Sequence, residues 1–201
     1  MQNFIFERIS DLPVLFIRDF YDKEEYSLIF AELDYLSKID RFKHPQDPGG
    51  PGTAISNGTP LKVGRGLHLD VVYEDRSFSD ILKLNRKLFD KNLTRTMEGY
   101  HPFFRYLNRS SKDSTKLHYF EDGDHYKSHI DDCVITAVSW FYKQPKSFTG
   151  GDIILENKVK FPCLNNSVII FPSILYHEVT EVAMEDLPGM GRYSMSQFLY
   201  M

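Results

Sequence analysis

The spacing of apolar residues along this chain changes character near Leu117. Before that point the apolar positions mostly follow a helical period. Val14-Leu15-Phe16-Ile17 reads as one short strand, and polar residues from Asp19 to Asp22 turn the chain. Asp22 followed three residues later by Glu25 predicts a capping box, in which two orphan backbone donors are satisfied reciprocally. Tyr26, Ile29, Phe30, Leu33 and Leu36 then recur at helical spacing, so a support helix with one buried face should follow. Ser77 and Asp80 repeat the capping pattern, and Phe78, Ile81, Leu82, Leu88 and Phe89 predict a second helix from about Ser77 to Phe89. Lys83, Arg86, Lys87 and Lys91 form its basic face, which reads as a solvated surface rather than a binding patch. Pro102 then interrupts Phe103-Phe104-Arg105-Tyr106-Leu107, a stretch that the pattern leaves without a class.

Between the two helices, His44-Pro45-Gln46-Asp47-Pro48-Gly49-Gly50-Pro51-Gly52 breaks both periods. A loop running from His44 to Gly66 in a compact domain is either disordered or a functional lid.

From Leu117 onward the period is two, and β-branched and aromatic residues dominate. Strands are expected at Val134 to Tyr142, Asp152 to Glu156, Ser167 to Phe171 and Tyr193 to Tyr200. Gly150-Gly151, Leu164-Asn165-Asn166 and Pro188-Gly189 supply the turns between them. The fold class this predicts is mainly β with flanking helices (α+β), with a sandwich or jelly-roll core. One domain should span 1–201, with helical support and the Pro/Gly-rich loop in 1–114 and the core in 115–201.

Composition narrows the function classes more than the fold. The net charge of −4 and pI near 6.0 disfavour a nucleic-acid surface, which needs clustered Lys and Arg. No apolar run approaches the ~20 residues of a membrane-spanning helix. Glu7 and Arg8 arrive too early after Met1 for the apolar stretch of a secretory signal. Cys133 and Cys163 make neither a disulfide framework nor a zinc-finger spacing, so a reducing, cytoplasmic location is expected.

The candidate chemistry lies in the β half. On a strand, residues i and i+2 point to one side, so His129 and Asp131 can converge on one ion. His-x-Asp alone is a weak pattern, but His177 follows the apolar strand Val168-Ile169-Ile170-Phe171 and the turn at Pro172. Two imidazoles and one carboxylate leave three octahedral positions open, the donor set of non-haem Fe(II) oxygenases. Such a site carries a charge of about +1 with Fe(II), which suits an anionic chelator, whereas thiolates would favour zinc or copper(I). His125 and His129 share the i, i+4 spacing of a helical zinc protease motif, but Tyr126 stands where that motif needs Glu. Fifteen residues beyond His177, Arg192-Tyr193-Ser194 places a guanidinium and a hydroxyl on one strand face, matched to a carboxylate. Tyr126, three residues before His129, should face the other way as core or rim, and Cys133 reads as a small buried hydrophobe. Thr136 and Trp140 share a face that could wall a pocket, with core packing the stronger reading for Trp140.

Taken in order, these residues resemble a family. The run from Tyr119 through Gly123 and Tyr126 to His129-Ile130-Asp131 resembles the segment leading into the iron-binding His-x-Asp of prolyl-hydroxylase-like 2-oxoglutarate-dependent oxygenases. Gly150-Gly151-Asp152 is similar to the family's turn between core strands, and Phe171-Pro172 with Tyr176-His177-Glu178-Val179 to the segment of the distal His. Arg192-Tyr193-Ser194 is similar to the Arg-x-Ser cosubstrate clamp. The resemblance covers roughly residues 115 to 201. It departs in the longer His177 to Arg192 interval, where Met184 to Gly191 reads as an inserted loop, and in the unmatched His44 to Gly66 loop.

The resemblance implies a double-stranded β-helix holding Fe(II) through His129, Asp131 and His177. It implies 2-oxoglutarate chelating the metal, with its distal carboxylate on Arg192 helped by Ser194 and Tyr119. O2 would be consumed, succinate and CO2 released, and ascorbate could serve as reductant. The substrate would be a protein or peptide side chain, proline first; the alternatives are a free amino acid or other small metabolite, and a metal-binding β-barrel without turnover. Nucleic-acid dealkylation is disfavoured, because Gln197-Phe198-Leu199-Tyr200-Met201 lacks the second arginine such enzymes carry. Halogenation is disfavoured because Asp131 keeps the carboxylate position filled.

Overall fold

The computed structural model describes residues 5–7, 12–185 and 187–201, so the stretch weighed against a secretory signal lies mostly outside them. The chain starts with strands β1 (Ile5–Glu7) and β2 (Leu15–Arg18) and helix α1 (Lys23–Lys38). Strands β3 (Ile55–Ser56), β4 (Thr59–Pro60) and β5 (Arg65–His68) precede short helices α2 (Leu69–Val72) and α3 (Asp80–Leu84) and the longer α4 (Lys91–Tyr100). The β half runs through β6 (Lys112–Phe120), β7 (Tyr126–His129), β8 (Ile135–Phe141), β9 (Phe148–Thr149) and β10 (Ile153–Leu155). It ends with β11 (Val159–Phe161), β12 (Ser167–Pro172), β13 (His177–Val179), β14 (Ala183–Met184) and β15 (Arg192–Tyr200).

Two antiparallel sheets carry the architecture. The larger has the order β1-β2-β12-β8-β15-β6-β5, and the smaller the order β11-β10-β13-β7. Every residue of β8 and of β12 is buried, because each strand has a core on both faces. One core lies inside the sandwich and includes Phe16, Phe120, Val138, Trp140, Ile153, Phe161, Ile169 and Phe171. The other lies behind the larger sheet, where Ile29, Leu33 and Leu36 of α1 meet Leu15, Ile17, Ala137, Ile170 and Met195. The mainly β jelly roll with flanking helices is the class that the alternating pattern predicts. Among the described residues, no helix is long and apolar enough to cross a membrane.

The capping box of α1 forms: Asp22 accepts from the Glu24 and Glu25 N–H groups, and Glu25 accepts from the Asp22 N–H, each at 2.9 Å. The second helix departs from expectation. Residues 77–89 are not one helix but α3 flanked by 3₁₀ turns at Arg76–Phe78 and Asn85–Phe89. Ser79 rather than Ser77 caps α3, and the cause is tertiary. The buried carboxylate of Glu32 on α1 accepts from the Ser79 hydroxyl at 2.6 Å and the Ile81 N–H at 2.8 Å, which sets the helix start. Phe78 is left 77% exposed instead of facing the core. Downstream, the aromatic stretch without a class is the 3₁₀ turn Pro102–Arg109 that follows α4.

The 44–66 segment is ordered. Asn57 and Gly58 both take positive φ, +49° and +77°, as a two-residue hairpin turn between β3 and β4 requires. Its flanks are tied down: Lys43 and Gly66 exchange both backbone bonds, the Lys127 N–H donates to Leu61, and the Val63 N–H donates to His125.

Replacing Asp22 by Ala should cost about 1 kcal/mol, as loss of a helix cap does. Phe78→Ser should change stability by less than about 0.5 kcal/mol, as exposed positions do. Urea unfolding followed by circular dichroism checks both, and a large loss for Phe78→Ser would mean that side chain is core after all.

Candidate metal and cosubstrate site

The pairing of β7 with β13 sets His129 directly opposite His177, with ring centroids 4.2 Å apart. Asp131 lies beyond the end of β7, in non-repetitive chain rather than on a strand. Its backbone N–H donates to Ser173 O at 3.0 Å, which returns the carboxylate to the two imidazoles. Ligand atoms of the three side chains all lie within 4.8 Å of one another. His177 Nε2 is 3.2 Å from one Asp131 oxygen, and His129 Nε2 is 3.7 Å from the other.

Second partners prepare each donor. His129 Nδ1 donates to Lys127 O at 2.8 Å and His177 Nδ1 to Leu175 O at 2.9 Å. A carbonyl only accepts, so a ring proton sits on each Nδ1 and Nε2 is the nitrogen that faces the centre. Burial pushes His129 down to about 4, with His177 acting the same way against the opposing charge of Asp131. Burial alone would raise the Asp131 carboxyl. Hydrogen bonding and charge from His177, the Thr136 hydroxyl and His129 together hold it below the ordinary value. Thr136 Oγ1 donates to Asp131 at 2.7 Å, and Ser173 Oγ lies 2.9 Å from Thr136 Oγ1.

Arg192 stands at the start of β15, fully buried, with its guanidinium carbon 5.2 Å from the centre of the Phe120 ring. Its Nε donates to Gly151 O at 2.8 Å, and its Nη1 donates to Ser194 Oγ at 3.0 Å. Among the described residues, the remaining Nη2 is buried without a hydrogen-bond partner. Gly151, at φ +70°, is needed here, since a Cβ would come within 2.5 Å of Arg192 Cδ. Arg192 and Ser194 line the same cleft as His129, Asp131 and His177.

The structure thus brings five of the six sequence-predicted residues together and leaves out Tyr119. On β6 the side chains alternate, so His118 and Phe120 enter the cleft while Tyr119 enters the core behind the sheet. There its ring packs on Tyr193 at 4.5 Å, and its hydroxyl accepts from the Gly191 N–H at 3.2 Å. Tyr126 departs from expectation in the opposite sense. A register shift in the β7–β13 pairing sets four residues, Tyr126 to His129, opposite three, and this bulge turns Tyr126 onto the ligand side. Its ring stacks on His129 at 3.6 Å. Trp140 packs edge-on against Phe16 within the core and does not line the cleft, whereas Thr136 does. Lys62, Lys116 and His118 also line it. Strand parity with Phe120 could have signalled the last two, but nothing local points to Lys62.

The residues fit the cofactors that the resemblance implies. Two imidazoles and a carboxylate match Fe(II), and a buried guanidinium with an unpartnered nitrogen, on a residue lining the same cleft, matches a distal carboxylate.

Residues 115–200 match the family model of the 2OG-Fe(II) oxygenase superfamily. No curated protein sequence matches the chain. Among solved structures, a Pseudomonas putida prolyl-4-hydroxylase is similar in fold, at TM-score 0.56 and 14% identity over 94% of this chain and 93% of that one. A Trichoplax adhaerens prolyl hydroxylase, solved with a hypoxia-inducible-factor peptide fragment, gives TM-score 0.62 at 11% identity, covering 94% of this chain and 84% of that one. The non-heme α-ketoglutarate-dependent epimerase SnoN of nogalamycin biosynthesis gives TM-score 0.56 at 10% identity, covering 92% and 76%. The chain carries the His-Asp-His group and Arg192 within this matched segment, which is that of the 2OG-Fe(II) oxygenase superfamily. It is a non-haem iron enzyme of prolyl-hydroxylase-like fold, using Fe(II), 2-oxoglutarate and O2.

Thr136→Val, which removes the hydroxyl donor to Asp131, should weaken Fe(II) binding about 10- to 100-fold. Tyr119→Phe should leave 2-oxoglutarate affinity within about twofold, since the hydroxyl it removes is outside the cleft. Equilibrium titrations of the metal and of the 2-oxo acid check the two variants.

Proposed function

We propose that this enzyme hydroxylates a protein or peptide side chain, proline being the first candidate. In this reading His129, Asp131 and His177 hold Fe(II), and Arg192 with Ser194 holds the distal carboxylate of 2-oxoglutarate. The observation that carries it is the buried, unpartnered Nη2 of Arg192, a residue that lines the same cleft as the His-Asp-His group. An unsatisfied buried donor of this charge costs several kcal/mol, and a carboxylate supplies what it lacks. When bound, Fe(II) and 2-oxoglutarate supply oxidative decarboxylation, yielding succinate and CO2 and delivering oxygen to the substrate.

The chain's own groups do the positioning. Gly151 O and Ser194 Oγ fix the guanidinium plane, so the cosubstrate meets a rigid fork. Lys127 O and Leu175 O fix the imidazole tautomers, and Thr136 orients the carboxylate. Phe120, Val138, Ile153 and Val179 line the cleft with apolar surface that limits access of water. The peptide reading is supported by fold likeness to prolyl hydroxylases, one of them solved with a peptide. Two free thiols fit a cytoplasmic setting.

Adding Fe(II) and 2-oxoglutarate without oxygen should give a weak visible charge-transfer band, and oxygen should then yield succinate even without the prime substrate. A protein that shows neither would be a metal-binding barrel without turnover. Arg192→Ala should weaken 2-oxoglutarate binding about 30-fold or more while sparing Fe(II). Equal loss of both ligands would point to collapse of the fold. A mass increase of one oxygen on proline in candidate peptides tests the substrate.

A further inference from the structure

One wall of the cleft carries positive charge that the cosubstrate does not use. Lys116 and His118 lie two residues apart on β6 and face inward beside Ser194 and Ser196 of β15. Lys62, just beyond the β3–β4 hairpin, reaches the same wall and is only 4% exposed. Its ammonium lies 3.1 Å from His118 Nε2 and 5.1 Å from the centre of the Tyr126 ring. Burial holds His118 well below its ordinary value, with the charges of Lys62 and Lys116 acting the same way. The ring is therefore neutral, and its Nε2 accepts from Lys62 and aims that ammonium.

Among the described residues, no carboxylate forms an ion pair with Lys62 or Lys116. The acid that acts on both through space is Asp131, which the reading above commits to the metal. Burial and the charge of Lys116 push Lys62 down to about 7, against the pull of Asp131. A buried ammonium without a counter-ion is costly, and such a group is retained where an arriving anion compensates it. One carboxylate of 2-oxoglutarate is assigned to Arg192 and the other to the metal, so neither is left for this wall.

We propose that Lys62 and Lys116, with His118 as the residue positioning Lys62, form a carboxylate-binding subsite for the prime substrate next to the metal triad. The inference rests on the oxygenase reading above and specifies its substrate class. The carboxylate belongs either to an acidic residue beside the target side chain or to a free amino acid, and the chemistry of recognition is the same.

The test uses the anaerobic Fe(II)–2-oxoglutarate complex of the full chain and follows perturbation of its visible band. Two matched probe pairs are titrated: acetyl-Pro-Glu-amide against acetyl-Pro-Gln-amide, and L-proline against L-prolinamide. The carboxylate-bearing member of at least one pair should perturb the band at millimolar concentration and its amide partner should not; which pair responds tells a peptide from a free amino acid. In Lys62→Met/Lys116→Met that response should weaken about tenfold or more, while 2-oxoglutarate affinity stays within about twofold. Retention of the band by the variant shows that it is folded. Carboxylate and amide probes that act alike, or carboxylate probes that do nothing, would overturn the subsite. So would a variant that loses 2-oxoglutarate as strongly as the probe, since the lysines would then serve the cosubstrate. Absence of the band in the parent protein is a separate failure, which removes the oxygenase reading beneath the subsite as well.

Discussion

Antiparallel pairing of β7 with β13 is the constraint on which the site depends. It sets His129 against His177, and the register shift beside that pair turns Tyr126 inward to stack on one imidazole. The pairing is stable because β13 also pairs with β10, while Ile153 and Leu155 of β10 anchor the small sheet in the interior core. The carboxylate comes from chain just past β7, returned to the imidazoles by the bond from the Asp131 N–H to Ser173 O. A ligand set built this way inherits its geometry from backbone hydrogen bonds. Side-chain entropy then has little left to blur.

The electrostatics follow from the same packing. Apolar surroundings keep His129 neutral, and neutral imidazole is the form that binds a metal. The Thr136 hydroxyl and the imidazoles hold Asp131 ionised against the desolvation that burial imposes. Arg192 is treated less completely: Gly151 and Ser194 satisfy two of its nitrogens and leave Nη2 bare. Among the described residues, Lys62 and Lys116 similarly form no ion pair with a carboxylate. The interior is therefore arranged for charge that arrives with ligands, and fold stability alone would not select such an arrangement.

Strand parity decided which candidates could belong to the centre. Tyr119 and Phe120 are neighbours on β6, yet one packs against Tyr193 behind the sheet and the other lines the cleft. Arg192 and Ser194 share parity, so the guanidinium and hydroxyl meet. In Tyr126 the rule fails, because a bulge adds one residue to β7 relative to β13 and resets which side chains share a face. The hairpin turn at Asn57-Gly58 carried a readable local signal, but it sat in a segment dominated by Pro and Gly and was obscured by them.

By itself the sequence determined what depends on near neighbours. The capping box at Asp22, the period-two strands of the β half and the pairing of Arg192 with Ser194 all follow from spacings of a few residues. The order of His129, Asp131, His177 and Arg192 was legible too, since it carries the chemistry of the family. Only the tertiary structure decided what depends on contacts between distant segments. Glu32 moves the start of α3 from 47 residues away. Lys62 reaches His118 across 56 residues, and Asn85 reaches Thr115 across 30. The physical reason is one of range: periodicity and capping act within a turn or a strand, whereas burial, charge and bulges are set by whatever the folded chain packs alongside.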